Sequence, residues 1–304
     1  MTINSRSSAR LLPALSRALV AAPICFVGAC SQYIDPNVPE PIRPFVAPES
    51  GGEYLLYRPS NYDRRQSWPL VVVCHGSFPD SPIRQIREWT QHAEENGFLV
   101  VAPKLIGSRS WLPRATAERI VQEGSNKQRV LAAVRHVRAG HNVSEDRIFI
   151  HGWSDGGGAA LRAGLDHPAL FRAITLLAPK FDSAGVRALG DGIDPYQPIY
   201  LRYDVGDALT GRNAQRCAEW LRSHRAKLSV DSRGSANRSS TMSAVEFLRS
   251  VIRTEPWIQI RAVPAPEEGP LAIRFKLRCS GVPAHLFWEF GDGDTSSVAE
   301  PIHV

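Results

Sequence analysis

The chain has 304 residues, 43% hydrophobic and 22% charged, with 36 Lys+Arg against 30 Asp+Glu. That length allows one sizeable core and a small extra module. The composition excludes a disordered, collagenous or polytopic membrane chain, and a net charge of only +6 without a Lys/Arg tract argues against a nucleic-acid partner.

The first thirty residues have a three-part layout. Arg6, Arg10 and Arg17 form a basic region, an apolar stretch runs from Ala18 to Ala29, and Val27-Gly28-Ala29-Cys30 closes it. The apolar stretch is too short to cross a bilayer, so it reads as an export signal. Its last four residues resemble a bacterial lipobox, in which the thiol of Cys30 would be lipidated and become the mature N-terminus; the alternative is a plain signal peptide. The resemblance implies an exported protein held to a membrane by acyl chains at Cys30, on the outer membrane or cell surface, or else periplasmic or secreted. Removing residues 1–29 takes away three arginines and leaves 33 basic against 30 acidic residues, about +3. Residues 30–50 carry five prolines and no helical period, and read as a semi-extended linker.

Regular structure is expected from Gly51. Glu53–Arg58 is a short strand. Trp68–Cys74 is a continuous apolar run, as expected of a strand buried on both faces. Ile83–Asn96 is an amphipathic helix closed by Gly97. Phe98–Pro103 is the next strand, and 117–139 a long helix. Asp146–His151 is a strand that leads into Gly152-Trp-Ser154-Asp-Gly156 and a helix over 157–165. Strands follow at 171–178, 198–203 and 227–231, with helices at 211–225 and 243–253. This alternation predicts βαβ crossovers and a mainly parallel, doubly covered α/β sheet. Chemistry in such sheets lies at the carboxyl ends of the strands. His75, Ser154 and Asp207 all fall there.

A serine hydroxyl becomes a nucleophile when a sharp turn exposes it, a base takes its proton, a carboxylate orients the base and backbone N–H groups hold the oxyanion. Gly152-Trp-Ser154-Asp-Gly156, after a buried strand and before a small-residue helix, reads as a nucleophile elbow. The backbone N–H of Asp155 is one expected oxyanion donor, and Ser77 the other. His75 is expected to shape its loop. Asp207 stands where the order Ser…Asp…His places the acid, with Asp204 as competitor; either also suits a helix N-cap.

The stretches YLLYRPSNYD, WPLVVVCHGS, IREWTQHAEENGFLVVAPKL, IFIHGWSDGGGAALRAGLDHPALFRA and YDVGDAL resemble α/β-hydrolase esterases related to polyhydroxybutyrate depolymerases and feruloyl esterases. The resemblance spans residues 51–256. It implies hydrolysis of soluble or polymeric carboxylic esters without metal or organic cofactor. It also implies a catalytic His after the last strand. Here that loop holds no His, and Asn237 occupies the expected place. An amide does not titrate near neutrality. His224, His151 and His285 are the nearest substitutes, and each is poorly placed. The expectation is therefore a serine carboxylesterase with impaired activity, or a non-catalytic binding or adhesion protein on the same scaffold.

From residue 257 the pattern changes to alternating strands at 258–263, 271–277 and 285–290. FWEFGDGDTSSVAEPIHV resembles PKD domains, immunoglobulin-like sandwiches of secreted bacterial hydrolases. Such sandwiches need about seven strands over roughly 100 residues. Residues 257–304 supply about half of that, so either further strands lie outside this sequence or a partner supplies them. None of the five cysteines (25, 30, 74, 217, 279) forms a CxxC or a zinc spacing.

Overall fold

A computed structural model describes residues 42–77, 79–107, 116–182, 193–208, 210–232, 240–253, 258–279 and 283–304. The leader, Cys30 and the linker up to residue 41 lie outside the described residues, as does Asn237.

The apolar runs form the middle of one eight-stranded sheet. Its strands are β1 (Ile42–Ala47), β2 (Gly52–Tyr57), β3 (Trp68–Cys74), β4 (Leu99–Pro103), β5 (Val143–Trp153), β6 (Ala173–Leu177), β7 (Pro198–Arg202) and β8 (Lys227–Asp231). Their spatial order is β1-β2-β4-β3-β5-β6-β7-β8. β1 and β2 run antiparallel, β2 and β4 antiparallel, and all other neighbours parallel. Every residue of β4 and β6 is buried, because helices cover both faces, which is why these strands read as unbroken apolar runs.

Among the described residues the helices are α1 (Pro82–Asn96), α2 (Thr116–Gly140), α3 (Gly156–Asp166), α4 (Gly211–Ser223) and α5 (Thr241–Arg253). Ile86, Trp89 and Ala93 of α1 share a core with Ala244, Val245 and Leu248 of α5 on one face. Val130 and Val134 of α2, Leu161 of α3 and Cys217 of α4 belong to the core on the other face. α1 starts where sequence chemistry allows: the Ser81 hydroxyl accepts from the Arg84 N–H, and Pro82 follows at the first turn. It stops at Gly97, in the left-handed region at φ 66°.

The order β4-β3-β5 marks a switch point. From β3 the chain crosses to β4 on one side, then returns past β3 to β5 on the other. A crevice opens between the exits of two such strands, and ligands of α/β sheets bind there. The exits of β3 and β5 carry Ser77 and Ser154.

Two expectations are corrected. Residues 42–47 are not linker: they form β1, paired with β2 from Ile42↔Tyr57 to Ala47↔Gly52. β1 is an edge strand, where the missing N–H of Pro44 forfeits least, and Phe45 stacks on Tyr54 with ring centroids 5.5 Å apart. Gly51, at φ 60°, makes the turn between them. At the other end, the strand expected over 285–290 shrinks to β11 (Trp288–Glu289), because Gly291 and Gly293 turn the chain at φ 91° and 102°. β11 pairs with β12 (Thr295–Ser296), while β9 (Ile258–Pro264), β10 (Ile273–Cys279) and β13 (Ile302–His303) form a separate three-stranded sheet. Phe275 packs on Trp288 and Phe290, and Phe290 stacks on His303.

Candidate active site

Ser154 stands between β5 and α3 with φ 49°, a left-handed conformation that costs a non-glycine residue about 1–2 kcal/mol. Such a conformation persists only where the surroundings over-determine it, and here they do. The Ser154 N–H donates to the Leu177 carbonyl at 3.0 Å. Its carbonyl accepts from Gly157 N–H (3.0 Å) and Lys180 N–H (2.9 Å). The strand and helix pass so closely that a Cβ on Gly152 would lie 2.6 Å from Gly157 Cα, and one on Gly156 only 2.3 Å from the Cys74 carbonyl oxygen. The flanking glycines of the motif are thus needed for close backbone approach.

The exit of β6 forms a bracket around this turn. Ala178 is itself left-handed at φ 44°. Pro179 packs against Gly157, whose absent Cβ leaves room for it. Lys180 reaches back, its Nζ 3.0 Å from Asp155 Oδ1. Asp155 is the N-cap position just before α3, so its backbone N–H lies at the positive end of a helix, suited to a developing negative charge. Sequence reasoning missed Lys180 and Ala178. Nothing in the local pattern Leu177-Ala-Pro-Lys180 announces a brace, because the partner it grips is more than twenty residues away.

Across the crevice, His75 ends the β3 exit. The Leu105 N–H donates to its Nε2 at 3.0 Å, so Nδ1 carries the proton and donates to the Gly76 carbonyl at 2.7 Å. Both nitrogens are engaged, and burial lowers its pKa. His75 therefore shapes its loop. Ser77 lines a cleft of about 680 Å³ together with Gly76, Asp80, Lys104, Leu105 and Gly107.

At the exit of β7, the Asp207 carboxylate accepts two bonds from its own segment. Oδ1 accepts from the Thr210 N–H at 3.3 Å, and Oδ2 from the Thr210 hydroxyl at 2.5 Å. Its carbonyl accepts from Gly211 N–H at the start of α4. Asp204 accepts from the Gly206 N–H at 2.8 Å. Asp207 thus lies on the carboxyl edge of the sheet, as Ser154 does, and holds Thr210, the residue that precedes α4.

The histidines near the motif are not brought to Ser154. His151 is fully buried among the residues facing α1, with Nδ1 2.9 Å from Thr175 Oγ1 and its ring 5.0 Å from Trp89. Burial lowers its pKa to about 3. His224 follows the carboxyl end of α4; since α4 runs antiparallel to β7, it sits at the opposite edge of the sheet. It pairs there with the Trp220 carbonyl at 2.8 Å. His285 lies in the C-terminal module and is exposed.

Residues 85–215 match the prolyl oligopeptidase family. A comparison with curated protein sequences finds no match. Among solved structures, a thermostable esterase is similar over 70% of this chain at 21% identity and TM-score 0.53; this chain spans 62% of that protein's length. A ferulic acid esterase from Anaeromyces mucronatus, in complex with ferulic acid, is similar over 69% of this chain and 88% of its own, at 12% identity and TM-score 0.54. A dienelactone hydrolase-like promiscuous phosphotriesterase from metagenomic libraries is similar over 69% and 98%, at 13% identity and TM-score 0.52. With the mainly parallel, helix-covered eight-stranded sheet, these likenesses show that the chain has the α/β-hydrolase fold, followed by small antiparallel β-sheets.

Proposed function

We propose that this chain is a serine hydrolase of carboxylic esters, with Ser154 as nucleophile, Asp207 as acid and the N–H groups of Ser77 and Asp155 as the oxyanion hole. The observation that carries the reading is the left-handed Ser154, held by β6 at the exit of a central strand. The esterases among the structural neighbours favour an ester as substrate. The reaction would be acyl transfer to Ser154 Oγ, the alcohol leaving with a proton and water then releasing the acid. Export with a lipid anchor at Cys30 would put the enzyme at the outer membrane or cell surface, and the PKD-like module would serve there as a spacer or binding unit.

The second reading is a binding protein that has lost catalysis. No His occurs between His224 and His285, His75 and His151 are occupied or buried, and Asn237 stands where the resemblance to esterases leads one to expect the base. Removal of a triad member costs several orders of magnitude in rate. The test is labelling by a fluorophosphonate probe and turnover of short-chain nitrophenyl esters, beside Ser154→Ala. Labelling and turnover that vanish in Ser154→Ala support the hydrolase; absence of both in the parent protein sinks it. Asn237→His is expected to raise Ser154-dependent turnover by at least about tenfold. No gain over an already active parent would mean that another group serves as base.

A further inference from the structure

The crevice between the exits of β3 and β5 is spanned by one carboxylate. The Trp153 indole, on the residue just before Ser154, donates from Nε1 to Asp80 Oδ2 at 3.0 Å. Asp80 belongs to the other wall. Its N–H donates to the Ser77 carbonyl at 2.9 Å, closing the turn that carries the Ser77 N–H. Its Oδ1 lies 3.9 Å from the Arg84 guanidinium, and its side chain is only 14% exposed. The space for this carboxylate exists because residue 76 is glycine: a Cβ there would lie 2.5 Å from Asp80 Oδ2 and 3.3 Å from Trp153 Cδ1. The half-buried indole–carboxylate bond is charge-assisted and directional.

We propose that Asp80 is a positioning residue that ties the Ser77 loop to the nucleophile elbow through Trp153, setting the distance between nucleophile and oxyanion donor. The effect on rate rests on the serine-hydrolase reading; the tie itself does not. An oxyanion hole works only when its donors are held where charge develops, and misplacement by about 1 Å costs on the order of a hundredfold. The two walls belong to different βα units, so a bond between them fixes what neither unit fixes alone.

The test uses the full chain with Asp80→Ala, Asp80→Asn, Trp153→Phe and the Asp80→Ala/Trp153→Phe double variant. Backbone hydrogen exchange is expected to speed up over residues 75–81 in Asp80→Ala and Trp153→Phe, with β5 unchanged at 148–151. Asp80→Asn keeps an oxygen acceptor for the indole and is expected to keep the protection. Labelling of Ser154 should slow by about tenfold to a hundredfold in the two single variants, stay within a few-fold in Asp80→Asn, and slow no further in the double variant. Unchanged exchange over 75–81 in both single variants overturns the proposal. So do a uniform loss of protection across the sheet, an Asp80→Asn variant as slow as Asp80→Ala, and wild-type labelling in variants whose loop has loosened. If the parent protein takes up no probe, the serine-hydrolase reading fails, and the exchange pattern alone decides the tie.

Discussion

The exits of β5 and β7 both stand on the carboxyl edge of the sheet, but they are built differently. At β5 the chain is forced into a left-handed turn, and the forces come from far away in sequence: Leu177 and Lys180 hold the Ser154 backbone, and the Cys74 and His75 carbonyls crowd Gly156. At β7 the described bonds of Asp207, to Thr210 and Gly211, fall within its own segment. A strained conformation held by distant segments marks a site more strongly than bonds between near neighbours in the chain. Ser154 is therefore legible as special from backbone geometry alone, whereas the Asp207 bonds to Thr210 suit an acid and a turn-closing residue equally.

The largest expected effect tests that contrast directly. Asp207→Ala should lower Ser154-dependent ester turnover by about 10³-fold or more if Asp207 orients a base, while the lost bonds to Thr210 cost about 1 kcal/mol of stability. Turnover at the parental rate, with that same small loss in denaturant midpoint, would remove Asp207 from the catalytic set.

Gly156→Ala comes next. The added Cβ meets backbone oxygens of Cys74 and His75 at 2.3 and 2.5 Å, which cannot move without shifting β3. A loss of about 3 kcal/mol or more is expected. A variant with an unchanged urea midpoint would show that the elbow is looser than these distances imply.

His151 gives an effect of about 2 kcal/mol between pH 7 and pH 5. Its pKa falls to about 3 on folding, from about 6.5 in an unfolded chain. The unfolded chain therefore gains a proton that the folded one refuses, and stability falls by about 1.4 kcal/mol per pH unit as pH drops from 6.5 toward 3. Burial also lowers the pKa of His75, His92, His141 and His167, so His151→Met should flatten the slope without removing it. Identical slopes in the two proteins would contradict the buried neutral ring.

The smallest change is the counterpart of Gly156. Gly124 lies inside α2, and a Cβ there meets nothing within 4 Å. Gly124→Ala should stabilise by about 0.5–1 kcal/mol. The two alanines, opposite in sign, separate a glycine required by tertiary contact from one that is not.

Much of this architecture is legible in the chain. Apolar runs such as Trp68–Cys74 and Ala173–Leu177 carry burial on both faces in their composition, and Gly97 marks a helix end by its own conformational freedom. Gly152-Trp-Ser154-Asp-Gly156 gains meaning from its neighbours, a strand before and small residues after. β1 is not legible because Pro44, with Pro41 and Pro48 on either side of the strand, suggests a spacer, and only pairing with β2 makes Ile42–Ala47 a strand. The aromatic alternation around β11 predicts a longer strand than forms, since it runs on into glycines that turn the chain.

The sequence by itself determined the order of strands and helices from β2 to α5, the place of Ser154 after a buried strand, and the absence of a histidine from 225 to 284. These depend on side-chain type and on spacing along the chain. Only the tertiary structure decided that Lys180 and Leu177 brace Ser154, that both nitrogens of His75 are engaged, that His151 is sealed away, and that Asp80 spans the crevice to Trp153. Each of these is a contact between distant segments, and close packing of the folded sheet, not any local preference, brings them within bonding distance.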